Sequence, residues 1–182
     1  MTVIVVGGAG HGVGKTALVC GLIRALGEVE WTAIKITSHD YGREAQVWEE
    51  SSAGEGTDTS RYLAAGARKA MLVTAGDEEL EDAIRHALSR CVAPGGGVSS
   101  MGIIFESNRV LRFVEPELCL GVEGAPDTER KASYERVAVR ANAVVRRAER
   151  DGVVEGARPV FELADLERLS ERMKDWLREK LG

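Results

Sequence analysis

The densest chemistry in the sequence lies near its start, in Ala9-Gly10-His11-Gly12-Val13-Gly14-Lys15-Thr16. The run fits the phosphate-binding pattern G-x-x-x-x-G-K-[ST], with Ala9 in place of the first glycine. Each residue type has a physical reason to be there. Glycines let successive backbone N–H groups turn inward around phosphate oxygens. A helix beginning at Lys15 adds the partial positive charge of its N-terminus. The Lys15 ammonium is expected to reach the β- and γ-phosphates, and the Thr16 hydroxyl to bind Mg2+. Gly10, His11, Gly12, Val13, Gly14, Lys15, Thr16 and Ala17 are therefore the candidate nucleotide-contact residues. The plain alternative is a glycine-rich turn between a strand and a helix. A dinucleotide fingerprint has no use for the Lys-Thr pair. The His11 side chain is expected to point outward, since such a loop works through its backbone.

Glu106 closes the apolar run MGIIFE. An acid at the carboxyl end of a parallel strand faces the ligand crevice of an α/β sheet. There it could hold the water shell of Mg2+, directly or through water; the alternative is a solvated strand-end acid. Lys35 ends a second apolar run, and His39 and Asp40 follow it. Asp58, Thr59, Ser60 and Arg61 open a short helix, where Asp58 could equally be an N-cap. Trp48, set among acids, is either a loop anchor or a ligand contact. His86 falls on the polar side of its helix.

These residues need a scaffold, and the periodicity supplies one. Val3–Val6 is a β-branched run of the kind buried on both sheet faces. Leu18, Leu22 and Leu26 space a helix that Gly27 stops. Strands are expected at 31–37, 69–74, 101–105, 118–122 and 160–163. Helices are expected at 59–65, 77–91 and 134–149, with a closing amphipathic helix at 165–181 carrying Leu166, Leu169, Met173 and Trp176. Residues 38–57 are polar and long for a plain connection, which favours a functional loop. PGGG at 94–97 marks a turn. Strands alternating with helices predict an α/β fold: a mainly parallel sheet flanked by helices in three layers, one domain over 1–182 with the closing helix packed on it.

Composition bounds the function. The 182 residues carry 24 Lys+Arg against 29 Asp+Glu, a net charge of −5, which argues against a general nucleic-acid binder. No stretch approaches the ~20 apolar residues of a membrane span. Cys20, Cys91 and Cys119 are far apart and form no zinc pattern. They read as small buried hydrophobes in a reducing compartment, and the chain as cytoplasmic.

The sequence resembles the molybdopterin-guanine dinucleotide biosynthesis protein B family of small P-loop proteins, over roughly residues 3–145. The phosphate loop is the most specific element. KITSHD matches the family's Lys and following His-Asp pair at Lys35, His39 and Asp40. GTDTSRYLAAGA matches its Gly-x-Asp-Ser/Thr segment, at Gly56, Asp58, Thr59 and Arg61. Glu106 matches the family's strand acid. Ala17 stands where the family often has a second Thr, and Ser107 where it usually has Gly. The Asn/Thr-Lys-x-Asp element by which many GTPases read guanine is absent, so GTP and ATP both stay open.

The resemblance implies Mg2+-dependent binding and slow hydrolysis of GTP or ATP by a homodimeric accessory protein of molybdenum cofactor biosynthesis. Molybdopterin or a maturation protein would be the partner. Lys15, Glu106 and Asp40 would be the catalytic group, and Thr16, Glu106 and Asp40 the metal group. Lys35, His39, Asp58, Thr59 and Arg61 would face the substrate. Two other classes stay open: a small-molecule kinase or ATP-dependent ligase resembling dethiobiotin synthetase, and a non-enzymatic nucleotide switch. Residues 122–132 are the candidate contact for the base.

Overall fold

The computed structural model describes residues 1–38, 44–91, 101–125 and 129–182. Over these the chain forms β1 (Thr2–Gly8), α1 (Lys15–Ala25), β2 (Glu30–Thr37), β3 (Gln46–Glu49), α2 (Asp58–Ala64), β4 (Lys69–Thr74) and α3 (Leu80–Ser89). There follow β5 (Met101–Glu106), a 3-10 turn (Arg109–Arg112), β6 (Leu118–Glu123), α4 (Tyr134–Arg140), β7 (Ala143–Arg147), β8 (Gly152–Val154), β9 (Val160–Leu163) and α5 (Glu171–Leu181).

One nine-stranded sheet runs β3-β4-β2-β5-β1-β6-β7-β9-β8. The edge strands β3 and β8 are antiparallel to their neighbours, and the other pairs are parallel. The strand order turns about β1. The chain first fills the side holding β2 to β5, then crosses β1 to build β6 to β9. In open α/β sheets the ligand crevice lies at the carboxyl ends of the strands where the order turns. Here the loop leaving β1 occupies that place.

β1 shows how the layers form. Its side chains alternate, so Ile4 and Val6 join the core under α1, α2 and α5, while Val5 joins the one under α3 and α4. All three are fully buried, each contributing about 1.5–3 kcal/mol of transfer free energy. The sheet is thus flanked by helices on both faces, as the alternating pattern predicts.

Several elements differ from expectation for local reasons. The helix expected at 134–149 ends at Arg140, and 143–147 is strand β7. The apolar spacing of Tyr134, Val137, Ala141 and Val144 continues through the break, but the backbone does not. Ala141 is already extended, at ψ 129°. Asn142 then binds Cys119 through both backbone and side chain, each at 2.8 Å, and so sets β7 beside β6. The expected loop 38–57 contains strand β3, paired with β4. Asp58 is not the N-cap of α2: Thr57 is, in a capping box with Ser60. α3 is shorter than 77–91, and β8 is additional.

The closing helix starts at Glu171, capped by Ser170, so the 165–170 part of the expected helix is a separate turn. Leu166 and Leu169 are buried all the same. Met173 and Leu177 are buried within the chain's own core, and Trp176 packs against Phe161 in a tilted pair with ring centroids 5.3 Å apart. The three cysteines are free and buried, and burial pushes the thiols of Cys20 and Cys119 up to about 11. Among the described residues no helix is long and apolar enough to cross a membrane. The PGGG turn lies outside the described residues.

Candidate functional site

The loop after β1 is held from three directions. Ala9 donates its N–H to the Val122 carbonyl at 2.8 Å, and its carbonyl accepts from the Lys131 N–H at 2.7 Å. The Asn108 amide grips the Gly8 peptide from both sides, accepting from its N–H at 2.8 Å and donating to its carbonyl at 3.0 Å. Gly12 and Gly14 have φ of 67° and 101°, which disfavours residues with a Cβ. At Gly14 a Cβ would also run into the Leu166 side chain. α1 then begins at Lys15 with no side-chain cap and no acid in its first turn, so its leading N–H groups have no internal acceptor. The Lys15 ammonium lies over the loop and donates to the Gly10 carbonyl at 3.0 Å.

Beside the loop sits a buried carboxylate. Glu106 ends β5 only 4% exposed, so it needs partners. It has them: Oε2 accepts from the Thr16 hydroxyl at 2.8 Å and from the Tyr62 hydroxyl, and Oε1 accepts from the Lys35 ammonium at 3.0 Å. Sheet register brings these groups together. Val6, Glu106 and Lys35 are directly opposite one another across β1, β5 and β2, so all three point toward α1 and α2. Lys35 also pairs with Asp58, the first residue of α2, and Arg61 links Asp58 to Glu167, the latter at 2.6 Å.

The electrostatics differ from one ammonium to the next. Burial lowers the Lys15 pKa below the usual lysine range; Glu106 resists the shift, while Lys131 and Lys35 add to it. Burial pulls at Lys35 too, but Glu106 and Asp58 outweigh it and raise its pKa. Burial would raise the Asp58 pKa, yet Lys35 holds it below the usual carboxylate range. Burial and Glu106 together keep Tyr62 protonated, as a donor.

Most of the expected residues border one cavity of about 570 Å³ at the carboxyl ends of β1, β2 and β5. Lys15, Thr16, Glu106, Lys35, Asp58 and Arg61 all line it. So do His11, Gly12, Gly14 and Ala17, with His11 exposed as expected. Gly10 contributes the carbonyl that holds Lys15. Val13 packs into the core instead and borders a neighbouring cavity. Thr59 is not on the main cavity: its hydroxyl donates to Glu50 at 3.0 Å within the cap of α2. His39 and Asp40 lie outside the described residues. Trp48 is 69% exposed on the edge strand β3, and His86 is exposed.

Sequence reasoning missed several residues in or behind this cavity. Tyr62 follows Asp58 by one helical turn, a spacing that could have shown it. Asn108 and Arg109 follow Glu106 closely. Lys131 sits in a charged loop with no periodicity to mark it. The lining carries five cations (Lys15, Lys35, Arg61, Arg109 and Lys131) against two carboxylates, in a chain of net charge −5. That reversal of sign suits an anionic ligand.

A second cavity of about 380 Å³ adjoins the first, sharing His11 and Gly12 and bordered by Glu123, Gly124, Ala125 and Arg147. It covers part of the 122–132 region expected to meet a base; 126–128 lie outside the described residues. Glu123 there accepts from Arg146 at 2.6 Å and from Arg130 at 3.1 Å. Among the described residues no group of three or more His, Cys, Asp or Glu could hold a metal by itself. The hydroxyl of Thr16 and the carboxylate of Glu106 form a hard-oxygen pair, which suits an Mg2+ that keeps several waters and takes other ligands from phosphate. No family model matches the chain, and no curated protein matches it.

Proposed function

We propose that this chain binds an Mg2+–nucleoside triphosphate, GTP or ATP, through a P-loop formed by Gly10–Ala17, and hydrolyses it slowly. One observation carries the reading: at the mouth of a left-handed glycine loop, inside a cationic cavity, Lys15 lies over the loop while the adjacent Thr16 meets the buried Glu106. A plain strand-to-helix turn would not require that convergence.

Each residue then has a task. The free N–H groups at the start of α1 receive phosphate oxygens. Lys15 exchanges the Gly10 carbonyl for a phosphate oxygen. Thr16 and Glu106 would hold the metal and its waters. When bound, Mg2+ supplies charge neutralisation at the phosphates. Tyr62 and Lys35 fix the Glu106 carboxylate, one on each oxygen. Positioning and preorganised charge are the catalytic resources in this arrangement.

The resemblance described above supports a role as an accessory protein of molybdenum cofactor biosynthesis, with molybdopterin or a maturation protein as partner and a homodimer as the working form. A second reading, a kinase or ligase with a true acceptor, is favoured by the wall of Lys35, Asp58 and Arg61 facing the cavity. It predicts turnover strongly stimulated by an acceptor, where the first predicts slow basal turnover. The decisive test is equilibrium binding of Mg2+–ATP and Mg2+–GTP to Lys15→Ala. A loss of about a hundredfold is expected; undiminished affinity would refute the phosphate assignment.

A further inference from the structure

Of the cations around the main cavity, three are committed to the protein itself. Lys35 pairs with Glu106 and Asp58, Arg61 with Glu167 and Asp58, and Arg109 with Asp77 at 2.8 Å and the Ala75 carbonyl at 3.0 Å. Lys15 has only a backbone carbonyl. Lys131 is different again: its ammonium has no hydrogen-bond or ion-pair partner among the described residues.

Its backbone is nevertheless fixed. The Lys131 N–H donates to the Ala9 carbonyl at 2.7 Å, and its carbonyl accepts from the Tyr134 N–H at 2.9 Å, which leads into α4. The loop between β6 and α4 is thus tied to the first residue of the glycine loop. From that point the half-buried side chain of Lys131 faces the same cavity as Lys15. Two ammonium groups with no ion-pair partner among the described residues, presented to one cavity from two separate segments, repel each other and gain most from a multiply charged anion between them.

We infer that Lys131 is a second phosphate-binding residue, supplied from the β6–α4 loop, and that it holds the terminal phosphate of the nucleotide together with Lys15. This rests on the phosphate reading above. Lys15 is expected at the β- and γ-phosphates, so an ammonium sharing its part of the cavity meets the outer end of the chain. The terminal phosphate also carries the most charge, and a second cation there favours triphosphate over diphosphate.

The test uses the full chain and measures Mg2+–tripolyphosphate and Mg2+–pyrophosphate, which carry the phosphates without a base, beside ATP, GTP and their diphosphates. Lys131→Ala should weaken the triphosphates by about tenfold or more, the size of one charge-assisted hydrogen bond, and weaken the diphosphates less. Lys131→Arg should restore most of the loss. Thermal unfolding without ligand should match the parent protein, because the side chain touches no polar partner. Equal losses on both phosphate lengths would overturn the terminal-phosphate assignment. Unchanged triphosphate affinity in Lys131→Ala, with affinity lost in Lys15→Ala, would overturn the inference and leave the phosphate loop standing. Affinity retained in both variants would overturn the two together.

Discussion

The cavity has two walls of contrasting character. On one side, β2, β5 and α2 present Lys35, Glu106 and Asp58, backed by the buried Tyr62, each bonded to another member of the set. On the other, the start of α1 and the loop after β6 present Lys15 and Lys131, neither with a carboxylate in ion-pair distance among the described residues. The first wall is held by its own charges. The second has charges to offer. Counting cations would treat the walls alike; their partners separate charges paired within the protein from ammonium groups that are not so paired among the described residues.

That contrast can be broken by substitution. The largest effect should come from Lys15→Ala on the wall with unpaired ammonium groups: nucleotide affinity falls steeply while the urea midpoint without ligand stays at or above the parent value. Glu106→Ala, on the wall whose charges are paired, should lower stability as well as Mg2+–nucleotide affinity. It leaves Lys35 and Tyr62 facing an empty space, and a loss of about 3 kcal/mol in urea unfolding is expected even before any ligand is added. Tyr62→Phe removes a single buried donor and should cost about 1–2 kcal/mol by the same measurement. A loss as large as that of Glu106→Ala would mean that this wall is held by the tyrosine rather than by the ion pairs.

The pH dependence sharpens the contrast further. The pKa of Lys35 is raised on folding, so its contribution is complete below the unfolded lysine value and disappears as pH climbs through the folded one. Asp58 is lowered, so its contribution is present above the unfolded carboxylate value and disappears as pH falls through the folded one. Lys15 is lowered, so it opposes folding while protonated, and that penalty lifts as pH rises. The two lysines therefore have opposite signs at alkaline pH. Lys15→Met should steepen the fall of the urea midpoint as pH rises toward the unfolded lysine value, and Lys35→Met should flatten it above that value. The smallest effect belongs to Trp48→Ser on the exposed edge strand, expected within about 0.5 kcal/mol in unfolding and silent in nucleotide binding.

Legibility in the sequence followed the range of the interactions involved. The glycine loop, the helix behind it and Glu106 depend on neighbours in the chain, so their residue types and spacing stand out. Lys35 is legible as a strand end, but its contact with Glu106 depends on β2 lying beside β5, which no local pattern encodes. Tyr62 looks like one more apolar helix residue until its hydroxyl is seen on Glu106. The break between α4 and β7 was hidden because Val137, Ala141 and Val144 keep helical spacing while the deciding bonds, from Asn142 to Cys119, come from another strand. Lys131 gives no signal at all; only the cavity it faces distinguishes it from its charged neighbours.

Gly14 is packed beneath Leu166, and the turn around Leu166 continues into Glu167, which ties α1 and α2 together through Arg24 at 2.7 Å and Arg61 at 2.6 Å. The glycine loop is therefore made early in translation but backed by a segment made much later. A nascent chain halted before residue 164 exposes the loop sequence without its support. A chain truncated before residue 164 should therefore hold its glycine loop less firmly than the full chain does.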